Sequence, residues 1–258
     1  MFEELKNKKA FICDMDGVIY HGNKLLDGAQ KFIDWVQENN KKYLFLTNSS
    51  ERSPVELQQK LARLGLHVDE SHFYTSAIAT ARFLATQKPN CTAYVIGEAG
   101  LINALYQVGI TMNDVNPDYV VVGDTRSYGY EKLEKAVRLV CNGAKLIGTN
   151  PDVTSPMENG IVPATKALLS PIELTTRKNA YCIGKPNPLM MRQAVKLLGE
   201  AVEDTAIIGD RMDTDIVAGI ESEIDTILVL SGVTSEEGMK KFAYQPKYYF
   251  ENIGKIVE

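Results

Sequence analysis

The chain has 258 residues, a length that predicts one large domain or two small ones. Hydrophobic residues make up 45% and charged residues 24%, values that are typical of globular proteins and exclude disordered and fibrous classes. The net charge of -5 argues against nucleic acid as a partner, because proteins that bind it usually carry a basic surface. No stretch approaches the roughly 18 apolar residues of a membrane span, so we expect no membrane partner.

The four cysteines are far apart in the sequence and form neither a CxxC pair nor a Cys/His cluster. This spacing predicts neither a zinc site nor a disulfide framework. We interpret Cys13, Cys91, Cys141 and Cys182 as buried thiols in a reducing compartment. The first residues are acidic where a signal peptide would be basic, so the expected location is cytoplasmic.

Short apolar runs alternate with amphipathic segments of helical length. Gly28–Asn39 has apolar residues at helical spacing, and Ser53 with Pro54 predicts the start of a second helix that ends at Gly65. We expect a loop at 14–27. Strands are predicted, in chain order, at Lys9–Cys13, Tyr43–Thr47, Tyr94–Ile96, Tyr119–Val122, Lys145–Ile147, Tyr181–Ile183, Thr205–Ile208 and Thr226–Leu230. The alternation predicts an α/β fold with a parallel sheet covered on both faces, and a second domain would be inserted rather than appended.

Polar side chains follow four of the predicted strands, where ligands bind in open parallel sheets. The acids among them would repel one another, and a divalent cation would relieve that repulsion. Oxygen ligands without nearby Cys or His favour Mg²⁺ over zinc, and the remaining donors suit phosphate oxygens. The set therefore predicts phosphoryl transfer, for which an aspartate can serve as nucleophile. It consists of Asp14, Asp16, Thr47, Asn48, Lys185, Asp210 and Asp215.

These segments together resemble the haloacid dehalogenase (HAD) superfamily of phosphatases, and its NagD-like branch most of all. The resemblance covers essentially the whole chain. It implies a HAD fold, with a Rossmann-like parallel-sheet core and a smaller inserted α/β cap domain. The matching segments are Asp14-Met-Asp16-Gly17-Val18, Thr47-Asn48, Phe73–Ser76, Asp114–Asp118, Gly148–Asp152, Gly184-Lys185-Pro186, Gly209–Asp215 and Leu228–Val233.

The resemblance implies a role for each residue of the catalytic set. Asp14 would attack phosphorus, and Asp16 would protonate the leaving oxygen and later activate water. Thr47 and the backbone of Asn48 would hold the phosphoryl oxygens, and Lys185 would neutralise charge on the nucleophile and the phosphoryl group.

The resemblance also implies a Mg²⁺ cofactor. The Asp14 carboxylate, the Asp16 main-chain carbonyl and Asp210 would bind the ion, and Asp215 would orient a metal-bound water. The implied activity is hydrolysis of small phosphate monoesters, such as sugar and acid-sugar phosphates, nucleoside monophosphates and p-nitrophenyl phosphate, through an aspartyl-phosphate.

The implied domain organisation places the core at 1–79 and 179–258 and the cap at 80–178. The loop Gly148–Asp152 should follow a cap strand and reach over the pocket, which makes Asn150 and Asp152 candidate substrate contacts; a plain turn is the alternative for both. Arg211 either touches substrate or pairs with an acid, and His21 either lines the entrance or is an ordinary loop residue.

Two rival functions stay open at this point. A phosphomutase of the same fold would protect the phospho-aspartate from water, whereas a phosphatase releases free phosphate. A phosphorylated receiver-type signalling module also places acids, Thr and Lys at strand ends, but its nucleophile follows the third strand and its chain is shorter. The physiological substrate and the oligomeric state are open, with a homodimer through the cap as one candidate.

Overall fold

The computed structural model describes residues 3–157 and 160–258, and the chain divides into two compact units. The first unit contains the chain up to Thr47, Leu57–Tyr74 and Lys185–Glu258. The second contains Asn48–Glu56 and Thr75–Gly184. The expected cap segment, 80–178, is narrower than the second unit at both ends and lacks the segment at 48–56.

Helices and strands alternate along most of the chain. The α-helices are α1 (Glu3–Asn7), α2 (Ala29–Glu38), α3 (Pro54–Arg63), α4 (Ser76–Gln87), α5 (Ala99–Gln107), α6 (Tyr130–Cys141), α7 (Thr165–Thr176), α8 (Pro188–Leu198), α9 (Val217–Glu221) and α10 (Glu236–Met239). Shorter helical turns lie at Glu70–His72, Val202–Asp204, Met212–Ile216 and Ile253–Val257. Among the described residues, no helix combines the length and the apolar character needed to cross a membrane.

The strands are short, and most of them are apolar. They are β1 (Ala10–Cys13), β2 (Tyr20–His21), β3 (Lys24–Leu25), β4 (Lys42–Thr47), β5 (Phe73–Thr75), β6 (Thr92–Ile96), β7 (Thr111–Met112), β8 (Tyr119–Val122), β9 (Lys145–Gly148), β10 (Thr154–Met157), β11 (Gly160–Pro163), β12 (Tyr181–Cys182), β13 (Thr205–Gly209), β14 (Asp225–Val229) and β15 (Tyr248–Phe250).

A six-stranded sheet organises the first unit, with strand order β15-β14-β13-β1-β4-β5. Strand β1 pairs in parallel with β13 on one side and with β4 on the other. All four residues of β1 are buried, as expected for a strand covered on both faces. Helix α2 packs Phe32 edge-on against Phe11 of β1, with ring centroids 5.5 Å apart. Burying such a ring contributes about 1.5–3 kcal/mol to the free energy of unfolding, so this contact stabilises the packing of α2 on β1.

A five-stranded parallel sheet organises the second unit, with strand order β12-β9-β8-β6-β7. Its apolar core combines Val120 and Val122 of β8 with Leu139 of α6 and Leu169 of α7. Strands β10 and β11 form a separate antiparallel hairpin. Because β8 and β9 pair in parallel, their carboxyl ends lie side by side at one edge of the five-stranded sheet.

Three expectations from the sequence were wrong. The segment 14–27, expected as a loop, contains the β2–β3 hairpin, whose two-residue strands are too short to show an alternating pattern. The strand at Tyr181–Ile183, placed in the expected core segment, joins the second sheet, because it pairs with β9 and the Ile183 N–H donates to the Gly148 carbonyl at 3.1 Å. Of the four cysteines expected to be buried, Cys141, the last residue of α6, is exposed and Cys182, in β12, is only half-buried.

Candidate active site

The carboxyl ends of β1 and β13 meet where the strand order of the first sheet reverses. From β1 the order runs to β4 on one side, and from β13 to β14 on the other. Such a reversal leaves a crevice in which parallel α/β sheets bind ligands. Asp14 follows β1, and its N–H donates to the Ile208 carbonyl at 2.8 Å. Asp210 follows β13, so strand pairing brings these two aspartates to the same crevice.

A buried lysine joins two of the predicted aspartates. The Lys185 Nζ lies 2.6 Å from Asp14 Oδ1 and 2.6 Å from Asp215 Oδ1. It also donates to the Leu46 carbonyl at the end of β4, at 3.3 Å. The Lys185 side chain is 3% exposed and that of Asp215 is fully buried, whereas Asp14 is 13% exposed. Of the three charged groups, Asp14 is thus the one that solvent and a ligand reach.

The charges of this cluster control one another. Burial alone lowers the pKa of the Lys185 ammonium, but the carboxylates of Asp14 and Asp215 outweigh burial and raise that pKa above its ordinary value. Burial raises the pKa of the Asp14 carboxyl to about 7, with Lys185 opposing the rise and Asp215 adding to it. Lys185 therefore stays cationic beside an aspartate whose charge is costly to bury.

Only one of the two carboxylate oxygens of Asp210 has a hydrogen-bond partner among the described residues. Its Oδ2 accepts a hydrogen bond from the Val233 N–H at 2.7 Å. Its Oδ1 is buried and has no hydrogen-bond partner among the described residues. Burial, together with the charges of Asp14 and Asp215, raises the pKa of Asp210 well above its usual value. A buried oxygen without a hydrogen-bond partner destabilises the folded state, and a bound cation would supply the missing interaction.

These oxygens form a cluster suited to a divalent cation. One carboxylate oxygen from each of Asp14, Asp210 and Asp215 lies within 4.8 Å of the others. The carboxylate of Asp210 also lies close to the main chain at Gly17 and Gly232, where a Cβ would collide with it. All three side chains offer hard oxygen ligands, which fit Mg²⁺.

Asp16 lies beside the β2–β3 hairpin. Its carboxylate Oδ1 is 3.4 Å from the His21 Nδ1, and both side chains are about half exposed, at 44% and 50%. Burial raises the pKa of the Asp16 carboxyl, although the charges of His21 and Lys60 oppose the rise. His21 therefore contacts a predicted catalytic residue, which the sequence had left open.

The remaining two phosphate-binding candidates are adjacent in the chain. Thr47 is the last residue of β4 and is 8% exposed. Asn48 groups with the second unit, where its carbonyl accepts from the Ser76 Oγ at 2.5 Å and from the Asn150 Nδ2 at 2.8 Å. The Asn48 Nδ2 donates to Asp152 Oδ2 at 3.0 Å. The second unit thus brings Asn48, Asn150 and Asp152 together.

A further residue of this group, Asp124, was not singled out from the sequence. It follows β8, and its Oδ2 accepts from the Asn150 Nδ2 at 3.2 Å and from the Ser50 N–H at 3.3 Å. Its Oδ1 accepts from the hydroxyl of Thr165 at 2.8 Å. The signal that could have found it is an acid one glycine beyond a predicted parallel strand, which is also the position of Asp210.

Arg211 pairs with an acid, which was one of its two expected roles. Its Nη2 donates to Asp213 Oδ2 at 2.8 Å and its Nε to Asp213 Oδ1 at 3.1 Å. The Arg211 N–H donates to the Asp215 Oδ2 at 3.1 Å. Main chain and ion pairing thus position both Asp215 and the turn that follows β13.

Comparisons with known proteins agree with this geometry. A family model described as haloacid dehalogenase-like hydrolase matches residues 11–111, and a second HAD hydrolase-like model matches residues 182–256. The chain is 40% identical to a dihydroxyacetone phosphatase of Corynebacterium glutamicum, covering 96% of this chain and 90% of that protein. It is also 40% identical to an acid sugar phosphatase of Staphylococcus saprophyticus, covering 98% of each.

Solved structures give the same result. NagD from Escherichia coli K-12 superposes with a TM-score of 0.91 at 39% identity, covering 96% of this chain and 98% of that one. A 4-nitrophenylphosphatase of Thermotoga maritima superposes with a TM-score of 0.95 at 32% identity, covering 99% and 98%. The chain therefore belongs to the haloacid dehalogenase-like hydrolases, in their NagD-like branch, and is a phosphoric monoester hydrolase.

Proposed function

We propose that this protein is a Mg²⁺-dependent phosphatase of small phosphate monoesters that works through an aspartyl-phosphate on Asp14. One observation carries the proposal: the least buried member of a buried ionic cluster, Asp14, follows the central strand and is held by Lys185 at 2.6 Å. The Asp14 carboxylate can therefore be reached by a ligand, while Lys185 holds it in one orientation.

In the first half-reaction, a carboxylate oxygen of Asp14 attacks phosphorus and the bond from phosphorus to the ester oxygen breaks. The leaving oxygen takes a proton from the Asp16 carboxyl, whose pKa burial raises above its ordinary value. Lys185 neutralises negative charge that collects on the phosphoryl oxygens. Thr47, at the end of β4, donates a hydrogen bond to one of those oxygens.

In the second half-reaction, the ionised Asp16 accepts a proton from water, and the water oxygen attacks phosphorus. The bond between phosphorus and Asp14 breaks, inorganic phosphate leaves, and both aspartates return to their starting states. The same residue serves as acid and then as base, so the cycle needs no additional proton carrier.

The residues fit a magnesium ion. Asp14, the main-chain carbonyl of Asp16 and Asp210 would hold it, and the unpartnered Asp210 Oδ1 supports this assignment. When bound, the ion supplies positive charge that offsets the charge of the phosphoryl group and of the carboxylates. Asp215, whose two oxygens accept from Lys185 and from the Arg211 N–H, orients the ligand set.

The substrate class follows from the relatives. Those described above are named for dihydroxyacetone phosphate, acid sugar phosphates and 4-nitrophenyl phosphate, and a further relative at 40% identity is a ribonucleotide monophosphatase. We assign the same range of small monoesters to this chain. Within the loop 148–152, the selection of the leaving group rests on Asp152, which is half-buried, since the amide of Asn150 is 1% exposed.

Removal of metal should stop the reaction. We expect phosphate release to fall to background in chelator and to return when Mg²⁺ is restored in excess, because three buried acids otherwise repel the incoming phosphate. Mg²⁺ should also raise the melting temperature of the wild type, and raise it less in an Asp210→Asn variant. Full turnover in metal-free buffer would contradict the proposal.

An Asp16→Asn variant should separate the two half-reactions. For dihydroxyacetone phosphate, whose leaving group needs a proton, we expect kcat to fall by about 10²–10⁴-fold. The p-nitrophenolate leaving group needs none, so p-nitrophenyl phosphate should give a burst of about one nitrophenolate per enzyme and then a slow phase. Rapid-mixing absorbance measures both phases. Asp204→Asn, at the amino end of β13, is the control and should behave as wild type; equal losses for both substrates without a burst would reject Asp16 as the acid.

A further inference from the structure

Within the second unit, Asn48 and Gly184 are far apart in sequence but lie side by side. The N–H of Gly184 donates to the Thr149 carbonyl at 2.7 Å. A Cβ at Gly184 would lie 2.6 Å from the Asn48 Oδ1 and 2.8 Å from the Thr149 carbonyl oxygen, which is closer than atoms can pack. Glycine is therefore required here, because the main chain at 184 rests directly on Asn48.

Asn150 is hydrogen-bonded to Asn48 and packs against Gly184. Its Nδ2 donates to the Asn48 carbonyl at 2.8 Å, and its Cβ would be 2.9 Å from a Cβ at Gly184. Its Oδ1 accepts from the Asp152 N–H at 3.1 Å. With 1% exposure, Asn150 is part of the interior of the unit, and its amide is used within the protein.

Asp124 fixes Asn150 in turn. The Asp124 carboxylate accepts from the Asn150 amide and from the Ser50 N–H, and its own N–H donates to the Ser50 Oγ at 3.0 Å. It also accepts from the N–H and the hydroxyl of Thr165 at the start of α7. One carboxylate after β8 thus ties the segment 48–50 to the loop after β9 and to α7.

We propose that Asn150 and Asp124 are positioning residues for the phosphate-binding side chains. Asn48 directly follows Thr47 in the chain, and Gly184 directly precedes Lys185. Consecutive Cα atoms are about 3.8 Å apart, so fixing Asn48 and Gly184 restricts where Thr47 and Lys185 begin. The inference rests on the proposed roles of Thr47 and Lys185.

A positioning residue and a residue that selects the substrate should affect different substrates differently. The phosphoryl group is common to every monoester, so misplacing Thr47 and Lys185 must slow all substrates by the same factor. A misplacement of about 1 Å costs about 10²-fold in rate. A residue that touched the leaving group would instead change one substrate more than another.

The first test is Asn150→Ala. We expect kcat/KM to fall about 10–100-fold for p-nitrophenyl phosphate, dihydroxyacetone phosphate and a nucleoside monophosphate. Because the Asn150 Oδ1 also accepts from the Asp152 N–H, the test of one common factor falls to the second variant. Inhibition by inorganic phosphate should weaken as well. The matched control is Asn113→Ala in the same unit, where the Oδ1 accepts from the N–H groups of Val115 and Asn116. It should lose stability but keep wild-type kinetics when assayed well below its melting temperature.

The second test is Asp124→Asn, which keeps the shape of the side chain and guards against an Asn150 variant that does not fold. Its control is Asp118→Asn, since Asp118 likewise accepts from a main-chain N–H, that of Thr92 at 2.8 Å. Asp124→Asn should reproduce the loss by one common factor for all three substrates, and Asp118→Asn should not.

Two results would overturn the inference: unchanged kcat/KM in both test variants, or losses in Asp124→Asn that differ from substrate to substrate. The proposed function fails separately, if Lys185→Ala leaves the rate unchanged. Normal kinetics in both test variants together with an impaired Lys185→Ala variant would therefore reject only the positioning role.

Discussion

An Asp14→Asn variant should lose phosphatase activity by at least about 10⁴-fold while it stays folded, since removal of a nucleophile typically costs this much or more. The amide is almost the same size as the carboxyl group, so packing at the end of β1 is preserved. It is a far weaker nucleophile and a weaker metal ligand. Lys185 keeps Asp215 as a partner at 2.6 Å, which limits the damage to the buried cluster.

Phosphate release and thermal melting should be measured on the same preparation. The matched control is Asp225→Asn, because Asp225 lies in the same sheet and pairs with Lys8 at 2.6 Å, at the opposite ends of the strands. The control should lose stability and keep its turnover. Appreciable turnover by a folded Asp14→Asn protein would reject Asp14 as the nucleophile.

A Lys185→Ala variant should lose about 10²–10³-fold in kcat, the typical effect of removing one preorganised charge or donor at a reacting group. The loss should appear in the rate of phosphorylation of Asp14, because negative charge collects on the phosphoryl oxygens there. Lys8→Ala provides the control, since Lys8 is also buried, at 7% exposure, and also pairs with an aspartate. A change of less than about threefold in kcat would place Lys185 outside the site.

The same variant should acquire a pH-dependent loss of stability. Without the ammonium, the buried Asp14 carboxyl has no cation to oppose burial, which already raises its pKa to about 7 in the wild type. A carboxyl with a raised folded pKa binds more protons in the folded state than in the unfolded state. Its cost is absent below the unfolded pKa of about 4, grows as pH rises from there to the folded pKa, and is constant above it. The melting temperature of Lys185→Ala should therefore fall further below wild type at pH 8 than at pH 5, as differential scanning fluorimetry would measure.

Periodicity predicted the main strands because their apolar runs are long enough to carry a signal. Strands β1, β4, β8 and β13 were found within one residue of their predicted limits. The β2–β3 hairpin was missed because two residues cannot show alternation. Strand β12 was recognised, but its partner was not, since pairing depends on a contact with β9 that no local pattern records.

The acids after β1 and β13 were predictable for a related reason. Their side chains follow directly on buried parallel strands, so their place at the carboxyl edge is a consequence of strand direction. The roles of Asp14 as nucleophile and of Asp16 as acid stay predictions that the variants above test. The interaction of His21 with Asp16 was not predictable, because it depends on the hairpin that the sequence did not reveal.

The residue types and their order by themselves predicted an α/β fold, phosphoryl transfer and oxygen ligands for a metal, and the family resemblance that they carry identified a phosphatase. Local order suffices for that, because each of these groups lies within a few residues of the end of a predicted strand. Only the tertiary structure decided that Asn150 is buried and bonded to the Asn48 carbonyl, and that Asp124 belongs with both. These contacts join residues up to 102 positions apart, and the low exposure of Asn150 arises from packing between distant segments. The local sequence around an Asn in a turn does not show whether its amide faces a substrate or a neighbouring carbonyl.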